Sequence, residues 1–276
     1  MKVFETFQPK DEQLRKYVSY YYIDIAEVCD YRNEYVCYPH YNNTISFYKS
    51  HTVSFLDGHS EVNFEHDAAP LQIFTPLRET ILKVTQHGPV YKIGIVFETF
   101  GVNQFLARAT AVDQRLCSPS FSFFEDKLIT GLFEKTIDEI RTTLDHELLK
   151  LLVPFENAYI EKAIELFHSP NNDLNIDELA ELKLGISRKQ LNRIFKKFVG
   201  TTAQKYRSIV RFRQLMNYRL ANEVHPSLTA LSHQVHYTDQ SHFIKACKQL
   251  TGLTPSQFFK EGRIVGSEDT FWRFTG

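Results

Sequence analysis

Two stretches of the chain set hydrogen-bonding side chains at helical spacing beside an apolar stripe. In HYTDQSHFIKACKQLTG (236–252) the stripe recurs every three or four residues and comprises Phe243, Ala246, Cys247 and Leu250. Off the stripe are four polar side chains that can all donate hydrogen bonds: Gln240, Ser241, His242 and Lys245. The pattern predicts an amphipathic helix whose outer face either meets water or binds acceptor groups on a partner.

A second copy of this pattern precedes the first by 52 residues, so that Ser187 aligns with Asp239. The copy, SRKQLNRIFKKFVGTTAQKY (187–206), has the same order of helix, tight turn and helix. That order is the helix-turn-helix arrangement, whose second helix can enter a DNA major groove. A connecting helix at 202–221 would span roughly 30 Å, close to the roughly 34 Å between successive major grooves on one face of B-DNA.

The charges of the chain are divided unevenly along its length. The formal net charge is −1, yet residues 1–154 carry 15 Lys or Arg against 21 Asp or Glu, whereas residues 155–263 carry 16 against 10. Between Glu181 and Glu223 there are eleven Lys or Arg and no acidic residue. Such a basic stretch suits a polyanionic partner such as nucleic acid.

The chain has 276 residues, of which 43% are hydrophobic and 24% are charged. This length and composition are those of a globular protein with one or two domains. The sequence has no apolar run of the roughly 18 residues that a membrane span needs, and its N-terminus, MKVFETFQPKDEQ, lacks the apolar core of a secretory signal. The cysteines lack metal-ligand spacing and are expected as reduced thiols in a cytoplasm: Cys29, Cys37, Cys117 and Cys247.

The first 120 residues are rich in aromatic and β-branched residues separated by turn signals, which predicts a small β-barrel or sandwich. The predicted strands are TISFYKS, TVSFLDG, EVNFEH, LQIFTPL and YKIGIVF. A helix is expected before them, at KDEQLRKYVSYYY (10–22), and a long helical stretch after them. The apolar stripe of that later stretch consists of Leu128, Leu132, Ile137, Ile140, Leu144 and Leu148.

From Phe155 onward the pattern is helical, and Pro154 marks a domain boundary. Helices are predicted at 155–168, 175–183, 187–199, 202–221, 227–235, 239–250 and 255–261. Their start signals are Asn175, Ser187, Ser227, Asp239 and Thr254, and their end signals are Gly200 and Gly252. The expected fold class is α+β with a β-rich domain with flanking helices at 1–154, an all-α domain at 155–263 and a tail at 264–276.

Residues from about 170 to 261 resemble the DNA-binding domain of the AraC/XylS family of bacterial transcription regulators. The matching motifs are SRKQLNRIFKKFVG, RSIVRFRQLM and YTDQSHFIKACKQLTGLTPSQF. Three positions depart from the family pattern: His236 stands at the turn glycine, Ala203 at a proline and Cys247 at a core phenylalanine. More weakly, the first half resembles the cupin-type sensor domains that precede this DNA-binding domain.

The resemblance implies that two helices contact double-stranded DNA. Base contacts would come from Lys189, Asn192, Arg193, Gln240, Ser241, His242 and Lys245. This fits the chemistry, because Arg pairs bidentately with guanine and Asn or Gln pairs with adenine. Contacts to phosphate, or in the case of Arg188 to phosphate or base, would come from Arg188, Lys196, Lys197, Lys205, Arg207 and Lys248.

The resemblance also implies an effector-binding first half in a bacterial cytoplasmic, nucleoid-associated activator. A pocket among the strands is expected to bind a small, partly apolar molecule, walled by some of Tyr38, Tyr41, Phe47, Phe55, Phe74 and Phe97. The 121–154 stretch would carry the signal to the DNA-binding half. RNA polymerase and a second copy of the chain are further expected partners, and no membrane is. The candidate dimer contact is Leu132, Ile140, Leu144 and Leu148, although these residues could equally pack on their own domain.

An enzyme is disfavoured because the first half contains no H-x-H followed by a spaced Glu, although histidines and acids occur there: His40, His51, His59, His66, Glu61 and Glu65. No nucleophile constellation and no phosphate-binding glycine loop is present either. We therefore expect no catalysis, no cofactor and no metal. Two alternatives stay open: a first half that only docks proteins or dimerises, and a metal-dependent cupin enzyme fused to a DNA-binding domain.

Overall fold

The computed structural model describes residues 2–106, 121–169, 174–221, 240–265 and 271–274. Its first half is built from strands and its second half from helices, as the sequence predicts. The strands in chain order are β1 (Lys2–Phe7), β2 (Val18–Ala26), β3 (Arg32–Cys37), β4 (Asn43–Tyr48), β5 (His51–Leu56), β6 (His59–Phe64), β7 (Leu71–Thr75), β8 (Leu82–His87), β9 (Val90–Phe97), β10 (Arg263–Ile264) and β11 (Phe271–Phe274).

The strands form two sheets. One has the order β1-β2-β9-β4-β7 and is antiparallel throughout; the other has the order β10-β11-β3-β8-β6-β5. In the second sheet β6 and β8 are parallel, and the other neighbours are antiparallel. The last of these strands, β11, comes from the expected tail and pairs with β3 through Trp272 and Cys37. The tail is therefore partly an added strand of the N-terminal half.

The predicted helix at 10–22 is wrong. Only Leu14–Lys16 forms a helical turn, and β2 follows at once. Its sequence VSYYYIDIA combines aromatic and β-branched residues, which favour strands. Side chains on both faces of β2 also find apolar neighbours: Tyr21 belongs to the core on one side of the sheet, and Tyr22 to a cluster on the other.

Two helices, α1 (Asp126–Leu132) and α2 (Ile137–Leu151), replace the single long stretch expected after the strands. Thr136 begins α2 with a capping box to Glu139, which separates the two helices. The apolar stripe packs against the core face of the first sheet, and its members are at most 3% exposed: Leu132, Ile140, Leu144 and Leu148. Of the two alternatives for this stripe, packing on its own domain is therefore the one that the structure shows, and the stripe is not available as a dimer contact.

The helices of the second half match their predicted ranges to within three residues wherever the structure describes them. They are α3 (Ala158–His168), α4 (Ile176–Glu178, continued by a π-helical turn at Leu179–Lys183), α5 (Arg188–Phe198), α6 (Ala203–Ala221), α7 (Gln240–Thr251) and α8 (Pro255–Glu261). Asn175, Ser187 and Thr254 cap helix starts as predicted. The predicted helix at 227–235, the cap residues Ser227 and Asp239, and His236 lie outside the described residues.

The helical half packs directly on the strands. Leu77 and Phe100 of the first half share an apolar cluster with residues of α3, α5 and α6. Val36 and Tyr38 of the first half share another cluster with residues of α6, α7 and α8. The structure thus holds both repeated units against the N-terminal half. No helix in the described part of the chain has the length and apolar character needed to cross a membrane.

Candidate nucleic-acid interface

Helix α5 presents a basic face because its apolar residues are taken up by the core. Leu191 and Phe195 are fully buried. Lys189, Arg193 and Lys196 follow one another at steps of four and three residues, so they lie along one exposed side of the helix. Among the described residues, no acidic side chain forms an ion pair with these three cations. This face can therefore contact an anionic partner.

Two further cations of α5 have partners within the chain. Arg188 donates to Asp177 over 3.1 Å in an exposed ion pair. The Nζ of Lys197 lies 4.9 Å from the ring centre of Phe198. Exposed pairs of this kind are weak, so both side chains can exchange their partners for a phosphate at small cost.

Asn192 is engaged inside the fold. Its Oδ1 accepts a hydrogen bond from the backbone N–H of Ala203 over 3.1 Å, which fastens α5 to the first turn of α6. A bidentate contact to adenine uses both the oxygen and the nitrogen of the amide. A base contact by Asn192 therefore cannot use both amide atoms while this bond is present, since the oxygen is already used.

The two predicted phosphate contacts on α6 differ in outcome. Arg207 is only 7% exposed, so the prediction that it binds phosphate is wrong: its helical position faces the interior. Lys205 lies on the surface and forms a salt bridge with Glu79 of the N-terminal half. The cation of Lys205 is therefore accessible but shared with an acid from the other half of the chain.

Helix α7, like α5, has apolar residues buried on one face and polar residues exposed on the other. Phe243 and Cys247 are fully buried, and burial raises the pKa of the Cys247 thiol to about 11, so it is an inert core residue. Ser241, Lys245 and Lys248 are exposed. Gln240 and His242 belong to the helix, but their side chains lie outside the described part of the structure.

Helix α6 joins the two units as one rigid element of 19 residues, roughly 28 Å long. The first unit packs on its beginning, through Tyr206, Ile209 and Val210. The second unit packs on its later turns, through Phe212, Leu215 and Met216. This arrangement fixes the spacing between α5 and α7.

Polar contacts also tie the first unit to the N-terminal half. Glu79 accepts a hydrogen bond from the hydroxyl of Thr201, next to its salt bridge with Lys205. Asn103 donates to the carbonyl of Phe198 over 3.2 Å. Tyr206 donates to the hydroxyl of Thr99 over 2.9 Å. These contacts could not be predicted from the sequence, because each joins residues that are far apart in the chain and no local sequence pattern indicates it.

Two of the six residues named for the effector pocket line one cavity, and the other four lie elsewhere. Tyr38 and Phe55 line a cavity between the two sheets. Phe47, Phe74 and Phe97 belong to the core on the other face of the first sheet, against α1 and α2. Tyr41 instead packs on His168 and Tyr206 of the helical half.

The cavity also receives side chains that the prediction did not include. Arg78 and Lys92 line it from the N-terminal half, and Arg213 and Trp272 line it from the second half. This cavity thus differs from the pocket with few charges that is expected within residues 1–120, because helix α6 and strand β11 also close it.

The histidines considered as metal ligands have other partners. The Nε2 atoms of His51 and His59 lie 3.0 Å from the carbonyl of Pro89 and 2.8 Å from the hydroxyl of Thr85. Glu61 pairs with His87 at 2.9 Å. Within the described ranges, no three His, Cys, Asp or Glu side chains are close enough to hold a metal ion.

Comparison with known sequences supports the assignment of the second half. A family model described as a helix-turn-helix domain matches residues 182–261. The Msm operon regulatory protein of Streptococcus mutans is 30% identical over 105 residues, which are 38% of this chain and 37% of that protein. An uncharacterized HTH-type transcriptional regulator of Haemophilus influenzae is 32% identical over 97 residues, 35% of this chain and 32% of that protein. The chain thus spans about a third of the length of these relatives.

Solved structures resemble the whole chain only loosely. ToxT from Vibrio cholerae superimposes with a TM-score of 0.45 at 10% identity, covering 94% of this chain and 97% of ToxT. ToxT bound to an unsaturated fatty acid gives 0.46 at 8% identity, covering 90% and 98%. These scores are too low to establish a shared whole-chain fold. The sequence match identifies residues 182–261 as a helix-turn-helix domain, and within it α6 joins α5 to α7.

Proposed function

We propose that this protein is a DNA-binding regulator of transcription whose two helix-turn-helix units read two adjacent major grooves. The observation that carries the proposal is the pair of exposed polar helices, α5 and α7, spaced by a single rigid helix. The length of α6 is close to one turn of B-DNA, so both helices can face the same side of a duplex.

In this proposal the bases are contacted by Lys189 and Arg193 in the first unit and by Gln240, Ser241, His242 and Lys245 in the second. The phosphates are contacted by Arg188, Lys196, Lys197 and Lys248. These side chains differ between the units, so the two DNA elements should differ in sequence. RNA polymerase and a second copy of the chain stay predictions as partners, as does a nucleoid location.

The test is selection of bound sites from random duplex DNA, followed by footprinting with the full chain. We expect an asymmetric site of two protected elements about 10 bp apart, centre to centre. Lys245→Ala should relax the base preference of one element and Arg193→Ala that of the other. Lys83→Ala, which removes one exposed charge from β8, is the control and should leave both elements unchanged. A single protected element per chain would contradict the proposed geometry.

We further propose that the N-terminal half controls DNA binding through a small-molecule effector. The cavity between the sheets supports this, because its lining comes from both halves of the chain. A ligand there can bind one arrangement of the halves more tightly than another, which is the requirement for control. Operator affinity that no small molecule changes would favour the alternative, in which the N-terminal half only docks proteins or dimerises.

A further inference from the structure

The end of the chain returns from the second helix-turn-helix unit to the N-terminal half. Gly262 ends α8, and β10 (Arg263–Ile264) begins at the next residue. Strand β10 pairs with β11 (Phe271–Phe274), and β11 pairs in turn with the edge of β3. These two strands, the C-terminal strand pair, therefore connect the second unit directly to a strand of the N-terminal half.

Aromatic contacts fasten β11 to the N-terminal half. Trp272 is the single tryptophan of the sequence and is 9% exposed. Its ring stacks on Tyr35 of β3 with the ring centres 4.3 Å apart, and it meets Phe4 of β1 edge-on at 5.5 Å. The ring of Phe274 lies 6.2 Å from that of Tyr35. These contacts bury apolar surface, so salt in the solution does not screen them.

The second unit thus reaches the N-terminal half by two routes. In the first, Phe258 of α8 meets Tyr38 edge-on at 4.7 Å, and both share an apolar cluster with Val36 of β3. The second route is the C-terminal strand pair. An ion pair joins the two routes, because Arg273 of β11 donates to Glu261, the last residue of α8, over 2.6 Å.

The strand pair is the part of this junction that opens most easily. Its strands have two and four residues and lie at the end of their sheet. Strand β3 keeps its pairing with β8 when β11 leaves. Short terminal elements with few contacts open locally at a lower free energy than the core of a domain does. The strand pair can therefore detach while the rest of the sheet stays folded.

The charges of the two halves make DNA a competitor of the docked arrangement. Residues 1–154 carry 21 acidic and 15 basic side chains, whereas residues 155–263 carry 10 and 16. The halves attract each other, and a DNA duplex attracts the basic half while it repels the acidic one. DNA therefore favours an arrangement in which the halves are less closely docked. The aromatic contacts of β11 oppose that change.

We propose that the C-terminal strand pair is a latch, which holds the second unit docked on the N-terminal half and opens when DNA binds. With the latch open, only the contacts around Phe258 hold the second unit, so α7 can adjust its position to the second major groove. The holding function stands on the contacts described above. The opening by DNA rests on the proposed function.

Hydrogen exchange of the full chain tests the holding function without DNA. Arg273→Met and Phe274→Ala should each speed amide exchange several-fold in β3 and in α8, and leave α2 and α5 unchanged. Arg273→Lys keeps the ion pair and should match the wild type. Lys127→Met removes a cation from α1 and is the matched control. Faster exchange in β11 alone, or nowhere, would overturn the proposal, because the strand pair would then only cover the edge of β3.

Trp272 reports the opening directly, because its fluorescence is the only tryptophan signal of the chain. The probe is a labelled random-sequence duplex of about 40 bp, long enough for both units, at low salt. Anisotropy of the label shows when binding is saturated. The acrylamide quenching constant of Trp272 should then rise about twofold or more, because a side chain that is 9% exposed becomes open to water. A duplex that merely covered Trp272 would lower this constant. An unchanged or lower constant would overturn the proposal.

Affinity for the same duplex gives the direction of the effect. Arg273→Met should bind it several-fold more tightly than the wild type and Arg273→Lys should not. The loss of a cation by itself weakens DNA binding, so a gain in affinity cannot come from the changed charge. Equal or weaker binding by Arg273→Met would overturn the proposal. A duplex that no variant binds would contradict the proposed function, and the exchange experiment would still decide whether the strand pair holds the second unit.

Discussion

At the scale of single residues, the polar side chains of the helix-turn-helix units fall into two groups. Lys189, Arg193 and Lys196 lie on the open face of α5, whereas Asn192 and Arg207 serve the fold itself. Helical spacing separates the buried face from the exposed one. It does not reveal a hydrogen bond to another helix, so neither the spacing nor the family resemblance could show that the oxygen of Asn192 is engaged.

We expect Arg193→Ala and Lys197→Ala to weaken DNA binding in different ways. Arg193→Ala should cost about 1–3 kcal/mol at the specific site and relax one base position, because guanidinium contacts distinguish bases. Lys197→Ala should weaken specific and non-specific binding alike and lower the salt dependence. The measurement is affinity across a library of sites at several salt concentrations. Uniform loss in both variants would contradict this division of roles.

Asn192→Ala should lower stability by about 1 kcal/mol, because the N–H of Ala203 loses its acceptor. Asn192→Asp keeps an oxygen in place and should be close to the wild type in urea unfolding. If Asn192→Ala were fully stable and instead changed base preference, the side chain would be a reader after all.

At the scale of helices and strands, the sequence predicts what depends on local periodicity. The boundaries of α5, α6 and α8 follow from apolar spacing and from Ser187 and Thr254 as caps, and the structure confirms them. The segment of β2 was predicted as a helix because charged residues precede it. Both faces of β2 are buried, so its sequence lacks the alternation of apolar and polar residues that indicates a strand. The strand β11 could not be predicted, because its four residues become a strand only by pairing with β3 and β10.

Helix α3 carries a pH-sensitive contact at its last residue. Nε2 of His168 lies 2.8 Å from the hydroxyl of Tyr206, and burial lowers the pKa of His168 to about 4. The unfolded chain therefore takes up this proton first, at about pH 6.5. Stability is complete above about pH 6.5 and should fall on acidification toward pH 4, by up to about 1.4 kcal/mol per pH unit for this group.

His168→Gln should flatten that dependence in denaturant unfolding measured between pH 7 and pH 4.5. Part of the slope should remain, because burial also lowers the pKa of His51 to about 4. His146→Gln changes an exposed histidine of α2 and is the matched control. An unchanged slope in His168→Gln would show that this histidine does not govern the acid sensitivity.

At the scale of the whole molecule, the two halves are in direct contact. The 121–154 stretch, predicted as the route of the signal, packs on the face of the first sheet away from the cavity. Arg213, Trp272 and Glu79 join the halves instead. In each case the residues brought together from the two halves lie more than a hundred positions apart in sequence, so no local pattern could have indicated these contacts.

Glu79 makes one of these contacts, and its carboxylate pairs with a cation that is predicted to bind a DNA phosphate. It pairs with Lys205 and accepts a hydrogen bond from Thr201, immediately after the turn that follows α5. A phosphate near this turn must compete with the carboxylate for Lys205 and also meets its negative charge. If Lys205 contacts phosphate as the sequence predicts, docking of the N-terminal half and DNA binding compete for this cation.

Glu79→Gln should therefore bind duplex DNA several-fold more tightly than the wild type at low salt. If Lys205 then gains a phosphate, the slope of log affinity against log salt should steepen by about 0.9. Glu134→Gln removes the same charge from the loop between α1 and α2 and should change neither quantity. In a double-mutant cycle, Lys205→Met should cancel most of the gain made by Glu79→Gln, because both changes act on one ion pair. Weaker binding by Glu79→Gln would mean that Glu79 positions the turn at Thr201 rather than competing with DNA, and the N-terminal half would then support the first unit instead of restraining it.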